Sequence, residues 1–194
     1  MSLRVVSCRR PLVIGGSMDI LGHALYGVTL CSRTGLAGGR WGAPIARGRY
    51  DWTAWAAAGF ALLPDMASIG VSFTQMLVRG ASPSFHGIPP YVFVLYHFTH
   101  SLITAGLCVL LLRTIARPLV VPALAWPAHI LIDTLLHDEG RWQTPMFFPF
   151  SDWHFHGINW WEHSNVVLVY WGILPVLWLV IHLWRCRTRM TTAQ

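Results

Sequence analysis

His129, Asp133 and His137 fall at i, i+4 and i+8, so on a helix their side chains leave from one face. The segment around them, residues 118–136, is otherwise almost wholly apolar. An imidazole and a carboxylate are costly in such a setting unless they are paired, metal-bound or turned to water. One turn apart, they also form a chelating pair for a divalent cation. Burying both without a cation is the more expensive alternative, so the pair points to a ligand role.

The chain that must position these residues is built for lipid. Hydrophobic residues make up 54% of it and charged residues 11%, which is too apolar for an ordinary soluble domain of 194 residues. Its eleven tryptophans fit a membrane interface. The net charge of +6 comes from arginine alone, scattered between apolar runs rather than clustered. That pattern argues against a nucleic-acid surface and for topology signals. Four cysteines without a CxxC spacing imply no disulfide framework.

Five runs can enter or cross a bilayer: residues 19–31, 52–63 (with a continuation beyond Pro64), 88–112, 118–136 and 166–184. A hydrocarbon core needs about 20 helical residues, so the last three are long enough and the first two are short. The expected fold is an all-α integral membrane bundle of four to five helices. Residues 18–189 form its single domain, residues 1–17 a disordered tail or a mis-started one preceding Met18, and residues 190–194 a C-terminal tail.

Threading the runs alternately gives one side Arg33, Arg40, Arg47, Arg49, Arg113, Arg117, Arg185, Arg187 and Arg189. The other side receives Arg79 and Arg141 with Arg4, Arg9 and Arg10 of the tail. The positive-inside rule makes the first side cytoplasmic. At 1.5 Å per helical residue, His100 and His129 then lie roughly 20 and 18 Å above their basic anchors. Asp65 and Asp133 lie roughly 24 Å, and His23 roughly 15 Å, above theirs. Five potential ligands from four separate helices thus share one slab in the half of the membrane away from the cytoplasm.

Other polar residues have plainer readings. His182 is expected to hydrogen-bond a neighbouring helix, and His86 to be solvated in a Ser/Pro/Gly loop. His97 sits one turn before His100, and only one of the two need be a ligand. Residues 141–163 interleave Trp142, Phe147, Phe148, Phe150, Trp153, Phe155, Trp160 and Trp161 with Asp152, His154, His156, Glu162 and His163. That stretch reads either as an interfacial aromatic belt or as a lid that admits an amphiphilic substrate.

In order along the chain stand Gly22-His23, Leu62-Leu63-Pro64-Asp65, Phe98-Thr99-His100-Ser101-Leu102, His129-Ile130-Leu131-Ile132-Asp133 and Pro149-Phe150-Ser151. In these motifs the chain resembles the bacterial inner-membrane metal-dependent hydrolases over about residues 18–163. The resemblance implies a multi-pass inner-membrane protein and a hydrolase that uses a divalent ion, zinc or, alternatively, manganese. It departs from the family where Met66, Ala67 and Ser68 replace a second acidic residue and a His. It departs again where Leu95, Tyr96 and His97 replace a His-Arg-Gly.

Taken together, these features lead us to expect His23, Asp65, His100, His129 and Asp133 to hold one ion or two. His137 and Asp138 are the expected acid/base groups. The expected partners are the bilayer and a lipid or lipid-linked ester or phosphoester, with the site facing the non-cytoplasmic side. The rival expectation is a non-catalytic membrane protein that uses the same residues as a structural metal site or an ion path.

Overall fold

The computed structural model of the protein describes residues 14–41, 50–137 and 142–191. The first arginine loop in large part, Asp138 and Arg141 therefore lie outside the described residues. Among those described, the regular structure is helical, with no strand. The helices are α1 (Ile14–Cys31), α2 (Trp52–Ala67), α3 (Ile69–Val78), α4 (Pro90–Thr99), α5 (Leu102–Ile115), α6 (Val120–Ala123), α7 (Ala125–Leu136) and α8 (Ser164–Thr191). This is the all-α bundle expected.

Two helices qualify on their own as membrane spans by length and composition, Arg117–Leu136 (through α6 and α7) and Ser164–Arg187 within α8. Two more qualify if each bent pair counts as one: α2 with α3, bent by 68°, and α4 with α5, bent by 55°. Two to four candidate spans fit a membrane protein.

The run 88–112 does not form the continuous span its length predicted. It breaks at His100 and Ser101, and the break is held by side chains and backbone from elsewhere. In lipid every backbone polar group needs a partner within the protein. Here the Ser101 hydroxyl caps α5 by accepting from the Ile103 N–H (3.2 Å), and donates to the Phe148 carbonyl (2.7 Å). The Leu102 N–H finds the Met146 carbonyl (2.9 Å), and the Trp126 indole N–H takes the Thr99 carbonyl (2.7 Å).

The second break follows Pro64, which lies inside α2 and cannot donate to the preceding turn. Ser68 stops the helix: its hydroxyl donates to the Pro64 carbonyl (2.7 Å) and its N–H to the Asp65 carbonyl (3.2 Å). Helix α3 then leaves at its steep angle, so the continuation expected beyond Pro64 is present but as a second, bent helix.

The centre of the bundle is made by small residues. A Cβ at Gly27 would come within 2.6 Å of the Ala61 Cβ and 2.9 Å of the Ala57 carbonyl oxygen. This close approach lets α1, α2 and α7 pack around Ala57, Ala61 and Ala125, all buried. At the end of the bundle away from the His/Asp residues, Asp51 caps α2 through the Thr53 N–H (3.0 Å). It also accepts from the Thr34 N–H (3.1 Å) and hydroxyl (3.0 Å). Arg185 of α8 reaches the same corner and donates to the carbonyls of Arg33 (2.6 Å) and Gly35 (2.9 Å).

Outside that corner α8 is mostly uncovered, and Leu168, Val169, Val176, Leu179 and Leu183 are exposed. His182 is exposed too, and its imidazole lies 3.6 Å from Cys186 on the same helix. The interhelical partner expected for it is replaced by this contact within α8, because α8 turns that face outward.

Candidate metal centre

Each break in the bundle carries one of the acidic or imidazole groups. Asp65 sits one turn before the α2/α3 bend, and His100 is the residue at which α4 ends. His129 and Asp133 come from consecutive turns of α7, whose face toward the bundle is buried.

The donor atoms of Asp65, His100, His129 and Asp133 all lie within 4.8 Å of one another. His100 Nε2 is 3.1 Å from His129 Nε2. Both nitrogens are 3.2 Å from Asp133 Oδ2. Asp65 Oδ1 stands 3.5 Å from the first and 3.9 Å from the second. A tetrahedral ion with bonds of about 2.0–2.2 Å has donor-to-donor separations of roughly 3.3–3.6 Å. The observed separations, 3.1–3.9 Å, bracket that range, so the four donors lie close enough to converge on such an ion with small side-chain shifts.

The hydrogen-bond pattern agrees. His100 Nδ1 is 3.0 Å from the Tyr96 carbonyl, which can only accept, so that ring nitrogen is the donor. In the neutral ring Nε2 is then a lone pair, facing the acceptor oxygens of Asp65 and Asp133. Lone pair against carboxylate oxygen is repulsive unless a cation lies between them. A proton on Nε2 would aim at one acceptor, whereas a metal ion would satisfy all four donors at once. The mixed imidazole and carboxylate donors could hold a divalent metal ion.

His23 reaches the cluster from α1, but to a different atom: its Nε2 is 2.9 Å from Asp133 Oδ1, the oxygen turned away from His100 and His129. Its ring lies over that of His129 with centroids 3.9 Å apart. His137, at the end of α7, places Nδ1 3.1 Å from the Asp133 carbonyl and 3.8 Å from Asp133 Oδ1. It borders the cluster without joining the four donors. Asp138, the other expected acid/base group, lies outside the described residues.

His97 faces elsewhere and packs edge-on against Phe148 at 5.5 Å. Residues 142–158 run over the α4/α5 break and return to α7, where the Ile158 N–H meets the Leu135 carbonyl at 3.0 Å. Phe150, Trp153 and Phe155 of this strap are exposed, beside an open cavity lined by Asp152, His154 and His156. His154 and His156 lie with ring centroids 5.3 Å apart.

Sequence reasoning missed the residues that orient the donors. Tyr96 stacks on His100 (3.8 Å, 22°) and supplies the carbonyl for its Nδ1. Trp126 and Ser101 secure the break beside it. A Ser directly before an apolar run is a helix-start signal, and Ser101 was readable as one; Tyr96 and Trp126 carried no comparable mark.

No protein-family model matches the chain, and searches of curated proteins and of solved structures find no match. Its class is set by its own architecture: an all-helical protein with two to four helices fit to cross a membrane, and a buried Asp/His cluster that could hold a metal ion.

Proposed function

We propose that the protein is a membrane-bound metal-dependent hydrolase acting on a lipid or lipid-linked ester or phosphoester. The observation that carries the reading is the convergence of Asp65, His100, His129 and Asp133, whose donor atoms all lie within 4.8 Å of one another, with the Asp65 side chain still partly accessible. A bound ion of this kind supplies Lewis acidity, lowering the pKa of a water and polarising a phosphoryl or acyl oxygen. Asp65 and Asp133 balance its charge, while Tyr96 and Thr99 fix the ring of His100. His137 borders the cluster at the end of α7, the position from which a proton can be taken or given, and Asp138 follows it in sequence. The expected depth of the site in the bilayer supports a lipid class of substrate, and the arginine distribution supports an opening to the non-cytoplasmic side of an inner membrane. The motif resemblance agrees with this reading.

A second reading, a structural metal site, is favoured by one observation: His100, His129 and Asp133 are 0, 1 and 3% exposed. A closed four-donor site is the structural form, whereas a catalytic one keeps a position open. Of the four, Asp65 has the most accessible side chain, at 13%.

Metal analysis of detergent-purified protein, paired with hydrolysis of phosphoesters and esters in zinc- or manganese-supplemented mixed micelles, separates the two. The hydrolase reading expects turnover by the wild type, loss of both ion and turnover in Asp133→Ala, and a slow but metal-loaded His137→Ala. An ion bound with no turnover above the Asp133→Ala background establishes the structural site. Absence of a bound ion sinks both.

A further inference from the structure

Asp133 presents its two oxygens to different company. Oδ2 is the one that faces His100 and His129, and Oδ1 faces His23 at 2.9 Å. His23 is outside the group of donors that lie mutually within 4.8 Å. It nevertheless touches both groups that α7 contributes, for its ring also covers His129 at 3.9 Å. A side chain that abuts two donors from behind, while its nitrogen meets the oxygen turned away from the others, has the geometry of a brace.

The brace is itself backed by α8. The phenol of Tyr170 lies so close to the α1 backbone beside His23 that a Cβ on Gly22 would fall within 2.4 Å of its hydroxyl oxygen. The Tyr170 ring stands edge-on to the His23 ring, centroids 6.4 Å apart. Tyr26 holds this element in place: its ring packs on Tyr170 at 4.9 Å and its hydroxyl donates to the Tyr170 carbonyl at 2.5 Å. Gly22 is the residue that makes room for the phenol.

We propose that His23 is a positioning residue rather than a ligand, and that Tyr170 wedges it against Asp133 and His129, so that α8 sets the geometry of the metal centre through α1. This rests on the metal reading of the four donors given above. It gives a largely exposed helix a grip on a buried site. Any shift of α8 across Gly22 moves His23, and with it the orientation of the Asp133 carboxylate.

The test is titration of the full-length detergent-purified protein with zinc(II), together with cobalt(II) absorption, in wild type, His23→Ala, His23→Gln, Tyr170→Leu and the double variant. Glutamine keeps an N–H that can meet Oδ1 but is a poor metal ligand. His23→Ala should still bind one ion per chain, about 10- to 100-fold more weakly, the usual cost of losing a group that orients a ligand. His23→Gln should recover most of that loss. The cobalt bands should keep the wild-type intensity, and so the wild-type coordination number, throughout. Tyr170→Leu should weaken binding in the same sense, and adding it to His23→Ala should cost little more, because it acts through His23.

If His23→Gln loses the ion as completely as Asp133→Ala, or changes the cobalt coordination number, His23 is a ligand and the proposal falls. Two ions in the wild type and one in His23→Gln overturn it in the same way. Tyr170→Leu with unchanged affinity removes the wedge. A wild type that binds no ion fails differently, since it removes the metal reading itself.

Discussion

Ser101 serves two partners from one position: it caps α5 by accepting from the Ile103 N–H, and it donates to the Phe148 carbonyl. Ser101→Ala removes the cap and strands a carbonyl, so a loss of about 1–2 kcal/mol is expected from the cap alone. Thermal denaturation in detergent measures it, and metal affinity should fall as well because His100 is the preceding residue. The chemistry-bearing residues themselves were legible. The i, i+4 spacing put His129 and Asp133 on one face, and two short motifs marked Asp65 and His100. The partition of Asp133 between its two oxygens was not legible, because it depends on how α1 sits on α7. Spacing within one helix carries no information about that angle.

At the scale of elements, apolar runs located the segments but not their breaks. The run 88–112 has no proline or glycine at its bend, and the 55° turn at His100 is made by partners more than 25 residues away in sequence. Tertiary partners overrode a continuous pattern there. At Pro64 the cause was local and could be read in advance. The α2 start offers a test of its own. Burial pushes the Asp51 carboxyl up, but hydrogen bonds from Thr53 and Thr34 outweigh it and hold the group below the ordinary carboxylate range. A carboxyl depressed in the folded state adds stability above its unfolded pKa of about 3.9, and loses it as pH falls through the lower folded value. Asp51→Ala should therefore cost about 1 kcal/mol near neutral pH. The difference from wild type should shrink as acid is added, which denaturation midpoints measured across pH 2–7 would show. A gap that widens in acid would contradict this account.

For the whole molecule, the arginine distribution makes a claim about sidedness. Reporters fused after Gln194 and within residues 141–163 should report the cytoplasmic and non-cytoplasmic sides respectively; a reversed pair would turn the site toward the cytoplasm. Four donors drawn from three helices would also make a bound ion a cross-link of the fold. Stripping it with a chelator should lower the melting temperature, and re-adding zinc should restore it, since a ligand that binds only the native state stabilises it by mass action. An unchanged melting temperature in a protein shown to carry the ion would mean that the ion does not tie these helices together.

Ribosomal synthesis runs in one direction, and the α4/α5 break depends on groups made later. The Ser101 hydroxyl waits for a carbonyl 47 residues downstream. At about 5–20 residues per second the wait is roughly 2–9 s. During that interval the Leu102 N–H has no Met146 carbonyl to meet, and lipid offers no substitute. The nascent segment 90–115 is therefore expected to enter the bilayer as one straight helix that satisfies its own backbone, and to bend only once residues 146–148 have emerged. Crosslinking of stalled nascent chains, halted before and after Phe148, should catch His100 moving from lipid to His129 between the two lengths. The metal centre would then be among the last parts of the protein to come into being.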